Sequence, residues 1–144
     1  MNHNPFLVTA ALLSAVAAAL HFACIAFGPS WFRFLGAGER MAQAAQAGSW
    51  YPAAITATIA AVLAIWSLYA LSAAGVIPPL PFLRPMLCAI TGVYLLRGMI
   101  FLPVLGAYPG RTVAFWWWSS AICLAIGMVH LIGLMQVWTN LPVA

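Results

Sequence analysis

The sequence predicts an all-α integral membrane protein: a four-helix bundle of antiparallel, up-and-down topology, with a short interfacial helix between spans 1 and 2. Hydrophobic residues make up 66% of its 144 residues and charged residues only 4%, so the chain cannot cover a water-facing surface with polar groups. In addition, four apolar stretches each reach the roughly 20 residues that a helix needs to cross a bilayer. Because lipid offers the backbone no hydrogen-bond partners, these stretches are predicted to be helices in a single domain, residues 1–144.

The first predicted span covers residues 5–28 and ends at the breaker sequence "GPSW". Its small residues in "VAAALHFA" are typical of a signal-peptidase site. However, the apolar run is longer than the roughly 7–15 residues of a signal-peptide core, and no Lys or Arg precedes it. We therefore expect this segment to be retained as a membrane helix.

The longest connection follows, at residues 30–50. Residues 39–47 are rich in good helix formers and come after the flexible "GAG", which predicts a short helix at the membrane surface. A lid or a partner-docking segment is one interpretation. The weak hydrophobic face and the few basic residues favour a plain interfacial connector, anchored by Trp31 and Trp50.

The remaining predicted spans are residues 52–75, 85–106 and 113–138. Proline and glycine mark their ends in "GSWYP", "GVIPPLPFLRP" and "GAYPGR". The two short connections make consecutive spans antiparallel neighbours. The tryptophans at 116–118 and at 138 are expected to lie in the two aromatic belts of the membrane.

Arginine placement predicts the orientation of the chain. Arg33, Arg40 and Arg111 lie in the first and third connections, whereas only Arg84 lies on the opposite side. By the positive-inside rule, both termini are periplasmic. The Ala-, Gly- and Arg-rich composition without lysine is typical of a GC-rich bacterial genome, so we expect the inner membrane of a bacterium. The arginines are scattered singly, and nucleic-acid binding is therefore not expected.

Arg97 lies inside the apolar stretch "GVYLLRGMIFLP" of the third span. An arginine at the centre of a membrane helix costs about 2.5–3.5 kcal/mol on insertion scales, so it normally faces protein or water. It either has a function or extends its long side chain to the headgroups. Tyr94, three residues earlier, is expected to stack on the guanidinium or to hydrogen-bond with it. Because Glu39 is the only acidic residue, a lipid phosphate or a partner's carboxylate is the expected counterion.

His21 and His130 are the other candidate binding residues. Each lies on a stripe of small and polar residues, which is the usual packing seam between membrane helices. A haem between the two imidazoles is disfavoured, because in antiparallel spans they lie at different depths. A copper site using "HFAC" or Met128, and a proton relay, stay open as alternatives. No cofactor is predicted. The stripes are Ser14, Ala18, His21 and Cys24 in the first span, and Ser120, Cys123, Gly127 and His130 in the fourth.

Several membrane protein classes are excluded by missing residues. No span holds the carboxylate of a small proton-coupled exporter, and the three cysteines are single rather than paired as in a quinone-linked disulfide oxidase. The chain lacks the two aspartates of a membrane aspartyl peptidase. The second span also lacks the polar array of membrane glutathione transferases.

The segments "AALHF", "YALSAAGVIP" and "VYLLRG" make the chain similar to small four-span bacterial inner-membrane proteins of the domain-of-unknown-function type. This resemblance implies no activity and draws attention to Arg97 and His21. We expect a non-enzymatic protein that binds a lipid or a small apolar ligand, or that assists a membrane complex. A haem- or metal-linked redox or proton-handling subunit using His21 and His130 is an alternative, and a small-solute transporter is a second one.

Overall fold

The computed structural model describes residues 3–99 and 113–141, and this part of the chain is helical apart from its connections, with no strand. The predicted all-α class is confirmed. The helices are α1 (Pro5–Phe27), α2 (Pro29–Phe34), α3 (Glu39–Gln46), α4 (Tyr51–Ala73), α5 (Leu83–Met99) and α6 (Val113–Val137), followed by a 3-10 turn at Trp138–Asn140.

Three of these helices, α1, α4 and α6, are long and apolar enough to cross a membrane. A helix of 23 residues, the length of α1 and of α4, is about 35 Å long, which exceeds a hydrocarbon core of roughly 30 Å. They correspond to the first, second and fourth predicted spans. Helix α5, with 17 residues, is the described part of the third predicted span, whose residues 100–106 lie outside the described residues.

Helix α1 shows how the sequence sets the helix limits. The side chain of Asn4 accepts a hydrogen bond from the backbone N–H of Leu7 at 3.0 Å, and Pro5 occupies the first turn, where a missing N–H costs nothing. The helix ends at Gly28, whose φ of 72° suits a residue without a Cβ. Large apolar side chains on its outer side, such as Leu12 and Val16, are more than half exposed. Such a surface is typical of a helix surrounded by lipid.

Helix α1 lies between α4 and α6. The Ser67 hydroxyl of α4 donates a buried hydrogen bond of 2.8 Å to the carbonyl oxygen of Ala11. On the α6 side, Leu7 rests directly on Gly133, and near the end of the same interface Asn4 donates to the side chain of Gln136 at 2.9 Å. Contacts that pair earlier residues of α1 with later residues of α6 show that the two helices run in opposite directions.

Helices α5 and α6 approach each other most closely at two glycines. Leu124 of α6 lies against Gly98 of α5, and Leu95 of α5 lies against Gly127 of α6. A Cβ added at Gly98 would lie 2.9 Å from the backbone nitrogen of Leu124. Small residues at a helix interface allow this close backbone approach, as is common between membrane helices.

The connection between α1 and α4 folds into the short helices α2 and α3. The predicted helix at residues 39–47 is confirmed as α3, and α2 was not predicted. Phe32 of α2 and Ala42 of α3 are buried in one apolar cluster with Cys24 of α1. Trp50 is 77% exposed; its predicted role as an interfacial anchor stays a prediction.

Candidate functional site

Arg97 lies in the last turn of α5 and contacts the first part of α6. Its Nη2 donates a hydrogen bond of 2.9 Å to the Ser119 hydroxyl, and the centre of its guanidinium lies 5.4 Å from the ring centre of Trp116, within the range of a cation–π interaction. Its Nη1 is buried and has no hydrogen-bond partner in the described part of the chain. Arg97 is therefore held by α6, while one end of its guanidinium is buried without a hydrogen-bond partner among the described residues.

The single acidic side chain of the protein does not neutralise Arg97. Glu39 accepts hydrogen bonds of 2.9 and 2.8 Å from Nε and Nη2 of Arg33, in the connection between α1 and α4. These hydrogen bonds lower the pKa of the Glu39 carboxyl and raise the pKa of Arg33. Because the sequence contains no other Asp or Glu, no carboxylate side chain is left for Arg97.

Tyr94 was expected to pair with the Arg97 guanidinium. Its partners in the structure are instead residues at the centre of the helix packing. Its hydroxyl forms a buried hydrogen bond of 3.0 Å with the hydroxyl of Ser14 in α1. Its ring centre lies 5.1 Å from that of Trp66 and 5.2 Å from that of His130. Tyr94 reaches α1, whereas Arg97 reaches α6, so these two residues belong to different clusters.

His130 is fully buried in α6, beside Tyr94. Its Nδ1 lies 3.0 Å from the carbonyl oxygen of Ile126, one turn earlier. A carbonyl oxygen only accepts hydrogen bonds, so Nδ1 is the donor of this pair, and in the neutral imidazole Nε2 then carries the lone pair. This Nε2 is buried and has no partner among the described residues. A buried acceptor in this state costs about 1–3 kcal/mol of stability.

His21 lies apart from the other three candidate residues. It is half-buried in α1, and its Nδ1 lies 2.7 Å from the carbonyl oxygen of Ala17 in the same helix. The contacts between Leu7 and Gly133 put the level of His130 near residue 10 of α1, about 16 Å along the helix from His21. The two imidazoles are therefore not brought together in this arrangement.

No group of three or more His, Cys, Asp or Glu side chains that could hold a metal ion occurs in residues 3–99 and 113–141. Cys24 of the "HFAC" segment is buried against Phe32 and Ala42. Its sulfur lies 3.9 Å from the carbonyl oxygen of Trp31. This thiol is thus part of the packing beneath α2 and α3.

Sequence reasoning did not identify Ser119 and Trp116 as partners of Arg97. Trp116 was expected in the aromatic belt, yet it is only 7% exposed, whereas its neighbours Trp117 and Trp118 are 59% and 72% exposed. The signal was present in "WWWSS", because Trp116 and Ser119 are three residues apart and share one face of a helix. Which helix they face cannot be read from that spacing.

A second arginine, Arg84, near the first turn of α5, resembles Arg97, because its Nε is also buried and has no hydrogen-bond partner among the described residues. Its guanidinium lies 3.7 Å from the ring centre of Trp138, closer than Arg97 lies to Trp116. Arg84 and Arg97 thus each lie over a tryptophan of the last helical region, towards opposite ends of α5.

Comparison with known proteins gave no match: no protein-family model matches this sequence, and neither curated proteins nor solved structures include a significant match.

Proposed function

We propose that this chain is a non-enzymatic, four-span protein of the bacterial inner membrane that uses Arg97 to bind an anionic group, either a lipid phosphate or a partner protein's carboxylate. In this proposal residues 85–106 form the third span, as predicted from the sequence, both termini are periplasmic, and the spans form an antiparallel bundle. The four apolar stretches of the sequence and the arginine distribution support this topology.

The observation that carries the proposal is the buried, unpartnered Nη1 of Arg97. An arginine that only extended to the membrane surface would expose its guanidinium to headgroups and water. Here Nη2 is bound to Ser119 and the guanidinium lies over Trp116. A permanently charged group held in this way, in a chain whose only carboxylate side chain is already paired, supports an anion from outside the chain.

Co-purification tests this function. The protein is extracted in mild detergent, and native mass spectrometry identifies the lipids and proteins that remain bound to wild type and to Arg97→Leu. We expect a phospholipid or an acidic membrane protein to be retained by wild type and lost from Arg97→Leu, because the leucine keeps the apolar bulk without the charge. Arg97→Lys keeps the charge and should retain part of the binding.

Arg40→Leu is the matched control, since Arg40 is an exposed arginine of α3. It removes the same charge without touching α5 or α6 and should bind as wild type does. Helical content by circular dichroism establishes that each variant is folded. Identical bound species in folded wild type and folded Arg97→Leu would overturn the proposed function.

A further inference from the structure

We propose that the anion bound by Arg97 is the phosphate of a phospholipid headgroup, held between the end of α5 and the first turns of α6. This inference rests on the proposed function and selects one of its two anion sources. It follows from the donors around Arg97, from the level of the site and from the apolar surfaces beside it.

The proposed phosphate takes hydrogen bonds from donors on two helices, and it reaches the buried Nη1 only by displacing the atoms that cover it. Nη1 of Arg97 has no acceptor in the described residues. The Ser119 oxygen accepts from Nη2, so its own O–H remains able to donate, because a hydroxyl both accepts and donates. A phosphate has enough acceptor oxygens to take both hydrogen bonds and still keep its ester bonds to the lipid.

A carboxylate fits these donors less well. Its two oxygens pair best with two parallel N–H groups of one guanidinium, as Glu39 does with Nε and Nη2 of Arg33. At Arg97, Nη2 is already directed at Ser119. That bond uses one of the two N–H groups of Nη2. The Ser119 O–H adds a donor from a second helix in another direction, which a tetrahedral phosphate matches better than a planar carboxylate does.

Tryptophans place this site at the boundary between headgroups and hydrocarbon. Trp117 and Trp118, two residues and one residue before Ser119, are 59% and 72% exposed. Indole rings with an apolar body and a polar N–H prefer the interfacial level of a bilayer. Phospholipid phosphates are abundant at this level, so the ligand would be present wherever the protein is inserted.

The outer surfaces of α5 and α6 beside the site can accommodate acyl chains. Val93 and Leu96 lie on α5 within one turn of Arg97, and Ile122 lies on α6 within one turn of Ser119; all three are about half exposed. A lipid with its phosphate at Arg97 would lay its chains along these apolar side chains. Burial of that apolar surface would add affinity.

The test uses delipidated protein in a phosphate-free maltoside detergent, titrated separately with phosphatidylglycerol, oleate and inorganic phosphate. Native mass spectrometry counts the bound molecules at each concentration. We expect one phosphatidylglycerol to bind at least tenfold more tightly than oleate or inorganic phosphate. Arg97→Leu should weaken phosphatidylglycerol binding at least tenfold, Ser119→Ala should weaken it by about tenfold, and Arg40→Leu should leave it unchanged.

The possible results separate this inference from the proposed function. If oleate binds as tightly as phosphatidylglycerol and both depend on Arg97, Arg97 binds anions but does not select phosphate, and the inference fails alone. If Arg97→Leu instead loses an acidic membrane protein while its phosphatidylglycerol binding is unchanged, the inference also fails alone. If no anion and no protein depends on Arg97 in folded variants, both fail.

Discussion

Substitution of Gly98 tests the close contact between α5 and α6 that holds Arg97 against Ser119. A Cβ at Gly98 would lie 2.9 Å from the backbone nitrogen of Leu124 and 2.8 Å from its Cδ2. The side chain of Leu124 can rotate, but its backbone cannot move without shifting α6. Gly98→Ala is therefore expected to force the two helices apart.

Gly92 provides a matched control on the same helix. A Cβ at Gly92 meets no atom within 4 Å, so Gly92→Ala adds the same methyl group without a clash. Overpacking typically costs about 1–3 kcal/mol, while alanine is favoured over glycine in a helix by up to about 1 kcal/mol. The helix-propensity gain is common to both variants. Their difference should therefore be about 1–3 kcal/mol, or roughly 5- to 150-fold in the folding equilibrium.

The measurement is unfolding in mixed micelles with increasing dodecyl sulfate, followed by tryptophan fluorescence and circular dichroism. Gly98→Ala should unfold at a lower fraction of dodecyl sulfate than wild type, and Gly92→Ala at an equal or higher fraction. Equal stability of the two variants would show that α5 and α6 are not in backbone contact at Gly98. The placement of Arg97 against Ser119 would then lose its support.

Three further predictions concern the polar groups of the described helices. Tyr94→Phe and Ser14→Ala should each destabilise the protein by about 0.5–1.5 kcal/mol. In the double variant the two effects should be coupled by about 0.6 kcal/mol. Strictly additive effects in the same unfolding assay would contradict the hydrogen bond between Tyr94 and Ser14. Arg33 lowers the pKa of the Glu39 carboxyl below its ordinary value of 4.5, so the pair stabilises the α2–α3 connection above that pH and loses this effect as the pH falls through the lowered value. Amide exchange in α2 and α3, corrected for its intrinsic pH dependence, should therefore lose protection below about pH 4.5 in wild type but not in Glu39→Gln; the same pH dependence in both would exclude the pair as its cause. His130→Leu removes a buried acceptor that has no partner in the described residues. We therefore expect the free energy of unfolding of this variant to lie within about 1 kcal/mol of the wild-type value. A decrease of more than about 2 kcal/mol would contradict an unpartnered Nε2.

Helix positions followed closely from the sequence, because their causes are local. The first span was predicted at residues 5–28 and α1 occupies Pro5–Phe27. The last was predicted at residues 113–138 and α6 occupies Val113–Val137. Proline in the first turn and glycine with positive φ at the end act within a few residues, so they can be read without knowing the neighbouring helices. Helix α2 was missed because its six residues, "PSWFRF", give no periodic pattern.

Contacts between helices could not be predicted in the same way. Helical spacing placed Tyr94 and Arg97 on one face of α5, which suggested that they pair with each other. Their partners are instead Ser14 of α1 and Ser119 of α6. Spacing defines a face but does not say which helix packs against it, or at what level. That level depends on the glycine contacts between helices, such as Leu124 on Gly98.

The interactions of Arg97 explain how an arginine can be tolerated in a membrane helix and still bind a ligand. At the centre of a membrane helix an arginine costs about 2.5–3.5 kcal/mol on insertion scales, which is an upper bound for the interfacial level proposed here. The hydrogen bond from the charged Nη2 to Ser119 contributes about 1.5–3 kcal/mol, and Trp116 adds about 0.5–2 kcal/mol. These contributions roughly offset the cost, so the site does not require a bound anion in order to fold. Nη1, however, receives nothing from the described residues. A phosphate that reaches Nη1 would add a charged hydrogen bond that the described residues do not supply. This added hydrogen bond is the source of the affinity we propose.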